Sequence, residues 1–171
     1  MAYTQVVGPS GGIGSTAIVP YLQAPTDVEA TTARYTLGTR IRLRDPDSGY
    51  EATFQYCKGV ASTVAGDAVL IQGDSAIVRA LAATVGLFGV AMAAIDAATD
   101  FGWVAIEGVV PVNVAASCAK NAAYTTATPG VLDDAVVAGS EVIGAMFLSD
   151  IGTPAASQCY LRLGGGTTGM V

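Results

Sequence analysis

The sequence contains no histidine among its 171 residues. The chain therefore lacks both the commonest general base and the commonest metal ligand of proteins. Its three cysteines, Cys57, Cys118 and Cys159, are odd in number, and none belongs to a CxxC pair. Their apolar, strand-like surroundings predict buried, reduced thiols and synthesis in a cytosolic environment. The sequence accordingly predicts no catalytic residues, no cofactor and no metal site.

Charge is also scarce, since only 13% of the residues are charged and the net charge is −6. An acidic chain is a poor match for a nucleic-acid backbone, which attracts basic surfaces. The one basic cluster is Arg40, Arg42 and Arg44, which share one face if the segment is a strand. That face is interpreted either as a solvated strand face or as a contact to an acidic partner. Low charge with many small apolar residues predicts a subunit whose surface is partly covered by neighbours.

Several segments resemble known sequence motifs but lack features that those motifs require. The glycine-rich run at residues 8–16 lacks the lysine of a phosphate-binding loop and has the wrong glycine spacing. The apolar segment 80–98 contains two glycines and many alanines, which favours paired strands over a transmembrane helix. The first seven residues lack the charged and apolar regions of a secretory signal. Adjacent Asp133 and Asp134 would point to opposite faces of an extended chain, so loop capping is preferred over a calcium site.

The stretch FGWVAIEGVVPVNV, from Phe101 to Val114, holds the only tryptophan. Two apolar runs around Glu107–Gly108 predict a β-hairpin that turns there. Directly opposed residues share a face, which gives one apolar face made of Phe101, Trp103, Ala105, Val110, Val112 and Val114. The opposite face is also apolar and consists of Val104, Ile106, Val109 and Pro111. Such a hairpin must be covered on both sides, and Pro111 favours an edge, a bulge or a slipped register.

The remaining pattern predicts a mainly β protein with three segments. Residues 1–36 are Gly-, Pro- and Thr-rich without a sustained period, which predicts an extended N-terminal arm. Residues 37–163 contain about nine or ten short strands, ending with Cys159–Leu163, and predict a compact β-barrel or a small sandwich of antiparallel strands. Tyr50–Lys58 alternates with an inward aromatic stripe. Residues 164–171 predict a flexible glycine-rich tail.

Six phrases within Leu37–Leu163 occur in a characteristic order, namely LGTR, YCKGVASTVAGDAVLI, GLFGVAMAAI, FGWVAIEGVVPVNV, AYTTATPGVLDD and VIGAMFL. In this order they resemble the small capsid decoration proteins, also called cement or head-stabilising proteins, of tailed bacteriophages. The resemblance implies a compact barrel or tulip-like domain without enzymatic activity. Such a protein is made in the host cytoplasm and added to the outer surface of the virion head. It implies a homotrimer that binds and bridges subunits of the major capsid protein, without a nucleic-acid or membrane partner.

Under this resemblance the candidate interface residues are Arg40, Arg42, Arg44, Val109, Pro111, Ile13, Tyr21 and Leu22. The arginines are the candidates for the capsid-facing side, and Val109 and Pro111 are placed near a subunit contact. One alternative is another viral structural β protein, such as a tail or fibre component. A second is a carbohydrate- or ligand-binding β-sandwich, which would need Tyr50, Tyr56 and Trp103 to face outward.

Overall fold

A computed structural model describes residues 4–5, 25–45, 47–120 and 122–167, with the backbone alone at residues 4, 5 and 167. These residues contain no helix. They form twelve strands, which are β1 (Thr4–Gln5), β2 (Glu29–Ala30), β3 (Arg40–Arg44), β4 (Glu51–Lys58), β5 (Ala68–Ile71), β6 (Ile77–Arg79), β7 (Leu87–Ala91), β8 (Asp100–Val114), β9 (Ala122–Thr125), β10 (Leu132–Asp133), β11 (Glu141–Phe147) and β12 (Ala155–Thr167).

Six of these strands close into a barrel. The pairings run from β8 to β7, β12, β11, β9 and β10, and then back to β8. Every pairing in this circuit is antiparallel except that of β10 with β8. Strands β5 and β6 extend the sheet from β7, while β4, β3 and β1 extend it from β8. The prediction of a mainly β, barrel-like fold is confirmed.

The predicted hairpin at Phe101–Val114 is wrong, because β8 is one continuous strand of 15 residues. Its first half pairs with β4 and its second half with β12, both antiparallel. Opposite β4, Ala105 faces Phe54 and Glu107 faces Thr53, so β8 carries one extra residue between these pairs. Gly108 has the positive φ of 105° that a turn would need, but it lies just after this β-bulge and pairs directly with Ala52.

The bulge explains why the predicted inward set is right although the turn is absent. An extra residue shifts the alternation of a strand by one position, as a two-residue turn would. Trp103 and Ala105 before the bulge, and Val110, Val112 and Val114 after it, all lie in the main core, with Phe101 packed against it. Val104 and Ile106 instead lie in a second cluster with residues of β4–β7.

Aromatic side chains fill the main core beside β8. The rings of Tyr56 and Tyr35 lie 5.0 and 5.3 Å from that of Trp103, and the Tyr56 and Phe101 rings stack at 6.4 Å. The hydroxyl of Tyr56 accepts a hydrogen bond of 3.2 Å from the backbone N–H of Arg34. The inward stripe of β4 is thus present at Ala52, Phe54 and Tyr56, whereas Tyr50 is exposed.

The segments predicted as arm and tail also contribute described strands. Within residues 25–36, β2 pairs with β8 and Tyr35 packs on the core. At the other end, β12 is longer than the predicted Cys159–Leu163, and residues 164–167 continue it. Gly166 pairs there with both β11 and β7, which closes the barrel.

We expect a substitution of Gly108 to destabilise the folded chain. A Cβ atom there would lie 2.2 Å from the carbonyl oxygen of Glu51 and 2.7 Å from the Cα atom of Ala52. These are backbone atoms that cannot rotate away. We therefore expect Gly108→Ala to lower the free energy of unfolding by about 2–4 kcal/mol, measured by urea denaturation.

Gly73→Ala is the matched control, because nothing lies within 4 Å of its Cβ position. It should leave the free energy of unfolding unchanged or raise it slightly, since alanine restricts the unfolded chain. Equal stability of the two variants would contradict the packing described for β4 and β8.

Candidate interaction surface

An apolar row crosses the outside of the barrel on four neighbouring strands. Directly opposed residues share a face, and the pairing aligns Val109 of β8 with Tyr160 of β12, Tyr160 with Met146 of β11, and Met146 with Ala122 of β9. Tyr160 and Met146 keep 46% and 48% of their surface exposed. We call these four residues the outer apolar row.

Further large apolar side chains are exposed along the same two strands. Ile143 of β11 is 54% exposed, and Leu163 of β12 is 48% exposed. Exposed apolar side chains that are grouped on neighbouring strands mark a contact surface more often than scattered single residues do. The exposed surface of β11 and β12 is therefore the candidate for binding a macromolecule.

The three predicted arginines lie together on one exposed face of β3. The Nε atom of Arg40 donates a 3.0 Å hydrogen bond to Oε1 of Gln55, and Arg42 forms a 2.8 Å ion pair with Glu51. Because both partners of this ion pair are substantially exposed, it contributes little to stability. The solvated-face interpretation fits this geometry, while an acidic partner stays a prediction.

A small cavity connects the arginine face with the outer apolar row. It has a volume of about 150 Å³, and Arg42, Glu51, Glu107 and Tyr160 are among the residues that line it. Glu107 accepts a 2.7 Å hydrogen bond from the hydroxyl of Thr53 on its wall. Basic, acidic and apolar groups thus meet at the rim of one surface.

The other sequence-predicted interface residues divide into two groups. Val109 belongs to the outer apolar row, and Pro111 lies two residues further along β8, opposite Gln158 of β12. Both are covered more than Tyr160, so their accessible contribution is small. Ile13, Tyr21 and Leu22 lie outside the described residues and stay predictions.

Sequence reasoning missed the exposure of Ile143, Met146 and Tyr160, whose strands it treated as apolar runs. In β11, Val142, Ala145 and Phe147 point into the core, which is not a strict alternation. A register shift between Ile143 and Ala145 coincides with Gly144, whose φ is 83°. The glycine inside the apolar run is the signal that could have indicated this bulge.

A buried polar network stabilises the loop that precedes β5. Asp67, 1% exposed, accepts hydrogen bonds from Nε of Arg79 at 2.8 Å, from the backbone N–H of Val64 at 3.1 Å and from Nδ2 of Asn113 at 3.1 Å. Two cavities of about 270 and 320 Å³ adjoin Asn113 and share Ala156 as a lining residue. With its carboxylate oxygens occupied in this way, Asp67 acts as a structural anchor.

Three buried thiols are the only cysteine side chains, and all three are free, as the sequence predicted. Desolvation by burial raises the pKa of Cys57 to about 12, that of Cys159 to about 12 and that of Cys118 to about 11. A thiol that stays protonated at neutral pH is a poor nucleophile. None of them is therefore placed or ionised for covalent chemistry.

One cluster has the composition of a metal-binding site. The sulfur of Cys118 and carboxylate oxygens of Asp133 and Asp134 lie within 4.8 Å of one another. The expected divergence of Asp133 and Asp134 is wrong, because β10 ends at Asp133 and the chain bends at Asp134.

The ligand-binding alternative depends on outward aromatic rings. Trp103 and Tyr56 are fully buried, and only Tyr50 of the three named rings is exposed. Of the three rings that this alternative requires to face outward, only Tyr50 does so.

Comparison with known proteins identified no relative of this chain. No protein-family model, curated protein or solved structure matches the chain. A search of the described residues for a helix long and apolar enough to cross a membrane found none; residues 80–98, the apolar segment considered above, contain strand β7 instead.

Because the three thiols are buried, we expect the folded chain to lose stability at high pH. The thiol of Cys57 has a pKa of about 12 in the folded chain and near 9.0 when solvated. Between these values the unfolded chain has lost a proton that the folded chain keeps, so the free energy of unfolding should fall as pH rises from 9 to 11. Each such thiol contributes up to about 1.4 kcal/mol per pH unit.

Urea denaturation at several pH values measures this slope. Cys57→Ala removes one of the titrating groups and should make the slope shallower, whatever its effect on stability at pH 7. Every other ionisable side chain is the same in the two proteins, so the difference between their slopes reports the Cys57 thiol. An unchanged slope would mean that the Cys57 thiol is not protected from ionisation.

Proposed function

We propose that this chain is a structural assembly subunit, and specifically a capsid decoration protein of a tailed bacteriophage. It would bind the outside of the virion head as a homotrimer and bridge subunits of the major capsid protein. The observation that carries the proposal is the outer apolar row with Ile143 and Leu163 beside it, an exposed apolar surface on a strand-built barrel. The family resemblance of the sequence supplies the specific role.

The chemistry of the described residues supports a binding role. The cysteine thiols are buried with raised pKa values, and Asp67 is engaged by three donors. Stable subunit contacts bury on the order of 1,600 Å² and have an apolar centre with a polar rim. The outer apolar row, bordered by the Arg42 and Glu107 cavity, has this pattern.

We assign the two parts of the surface to different partners. The outer apolar row is suited to a permanent contact between copies of this chain, because obligate interfaces are the more hydrophobic ones. Arg40, Arg42 and Arg44 are suited to the capsid, where charge guides encounter and orientation. This division makes the two contacts separable by mutation.

We expect the purified chain to have a mass in solution three times that of the single chain, measured by light scattering after size exclusion. Tyr160→Lys and Met146→Lys should each reduce the mass to that of one chain, because a charge would be buried unpaired in the contact. Val85→Lys is the control, since Val85 is 67% exposed and lies outside the row. A monomeric parent protein, or a trimer that survives both row variants, would contradict the contact.

A separate experiment tests the capsid contact. We expect the triple variant Arg40→Gln, Arg42→Gln, Arg44→Gln to remain trimeric but to bind expanded, undecorated heads of the encoding phage at least about tenfold more weakly. Co-sedimentation measures the binding, and parent affinity should fall as salt is added. Equal affinity of the two proteins would place the capsid contact elsewhere, and failure of the parent to bind any head would reject decoration.

The sugar-binding alternative makes the opposite prediction for the same preparations. It expects a monomer in which Tyr50→Ala abolishes ligand binding while Tyr160→Lys changes nothing. Tyr50, at 47% exposure, is the one of the three rings named by this alternative that is available for such stacking.

A further inference from the structure

Three potential metal ligands, one sulfur atom and two carboxylate oxygens, lie close together beyond the end of β8. Cys118 follows β8 by four residues, and β10, which carries Asp133, runs parallel to that end of the strand through the Leu132–Val114 pair. The N–H of Ala115 donates to the carbonyl of Leu132 at 2.9 Å, and the N–H of Ile151 donates to that of Cys118 at 2.8 Å. Backbone bonds on both sides therefore fix where the cysteine lies relative to the acids.

The two carboxylates converge because the chain turns between them. The backbone N–H of Asp134 donates a 2.8 Å hydrogen bond to Oδ1 of Asp133. As a result, one oxygen from each acid and the sulfur of Cys118 lie within 4.8 Å of one another. Atoms that bind one ion lie about 3–4 Å apart when each is 2.0–2.3 Å from the metal, so small side-chain adjustments suffice.

The thiol gives an independent reason to assign a ligand here. Cys118 is only 1% exposed and points at a pair of carboxylates, an unusual environment for a buried cysteine. Its hydrogen-bond contact, to the carbonyl of Ala119, measures 3.9 Å and is weak. The backbone N–H of Asp134, which donates to Oδ1 of Asp133, also lies near the sulfur. The thiol is thus buried beside the two carboxylates with only weak hydrogen bonding of its own.

Within the described residues, no ion pair offsets the negative charge near the sulfur of Cys118. The carboxylates of Asp133, Asp134 and Asp150 all lie near this sulfur. The described ion pairs involve Arg34, Arg42 and Arg79, and none of them includes these acids. A bound cation would offset the repulsion between these carboxylates.

We propose that Cys118, Asp133 and Asp134 bind a divalent transition-metal ion of the zinc class, with a water molecule in the fourth position. A thiolate selects Zn²⁺ or Co²⁺ over Ca²⁺ and Mg²⁺, which bind oxygen ligands. The ion would connect the segment after β8 to the end of β10, where β10 closes the barrel onto β8. Such a site is structural and goes beyond the proposed assembly role, on which it does not depend.

Cobalt provides the direct test, using the full-length purified chain stripped of metal with a chelator. Addition of Co²⁺ should produce the thiolate charge-transfer band and the visible bands of a tetrahedral site, saturating at one ion per chain. Zn²⁺ should abolish these bands by displacement, whereas Ca²⁺ should not. Thermal unfolding should shift to higher temperature with Zn²⁺, because the ion binds the folded chain in preference.

The variants assign the signal to this cluster. Asp133→Asn and Asp134→Asn alter half-buried side chains and should each weaken Zn²⁺ binding at least about tenfold. Cys118→Ser should also remove the charge-transfer band. Cys57→Ser and Asp96→Asn are the controls, because they change a buried thiol and an exposed acid outside the cluster.

Three outcomes would overturn the proposal. One is a parent chain that binds neither Co²⁺ nor Zn²⁺. A second is a charge-transfer band that survives Cys118→Ser. The third is Zn²⁺ binding that both folded aspartate variants retain at parental affinity, which would place the metal at another group of residues.

Discussion

The close approach of β4 to β8 at Gly108 is the constraint on which the rest of the fold depends. The β4 backbone occupies the space that any side chain at residue 108 would need. The bulge beside it changes which residues of β8 face inward, so that Trp103 and Val112 contribute to the same core. Without that shift, the second half of β8 would present Val109 and Pro111 to the interior. The residues of β12 that pair with them, Tyr160 and Gln158, would then face inward as well.

The class of the fold could be predicted from the sequence, and the path of the chain through it could not. Alternation, turn residues and low charge were enough to indicate a mainly β protein, either a barrel or a small sandwich. At Glu107–Gly108, however, local chemistry specifies only that the glycine can adopt positive φ. A turn and a bulge both satisfy that condition. The choice between them is made by β4 and β12, which lie far away in sequence and align with successive halves of β8.

The same limit applies to the candidate sites. Arg40, Arg42 and Arg44 could be placed on one face because β3 alternates regularly. The outer apolar row could not be predicted, because it consists of single residues from four strands and the register of β11 among them shifts beside Gly144. The convergence of Asp133 and Asp134 likewise depends on where β10 ends. Rules of alternation are valid only within a regular strand, whereas the candidate clusters here depend on strand ends and bulges.

The outward positions of β8 differ in what covers them on the two sides of the bulge. Before the bulge, the outer face is covered by the second core cluster at Val104 and Ile106. After it, Glu107 contacts Thr53, Val109 joins the outer apolar row, and Asn113 holds Asp67 beneath the loop before β5. The inner face is continuous core throughout, so substitutions there change the fold as a whole. The outer residues after the bulge belong to neither core cluster, so a contact surface proposed there could vary separately from the core that supports it.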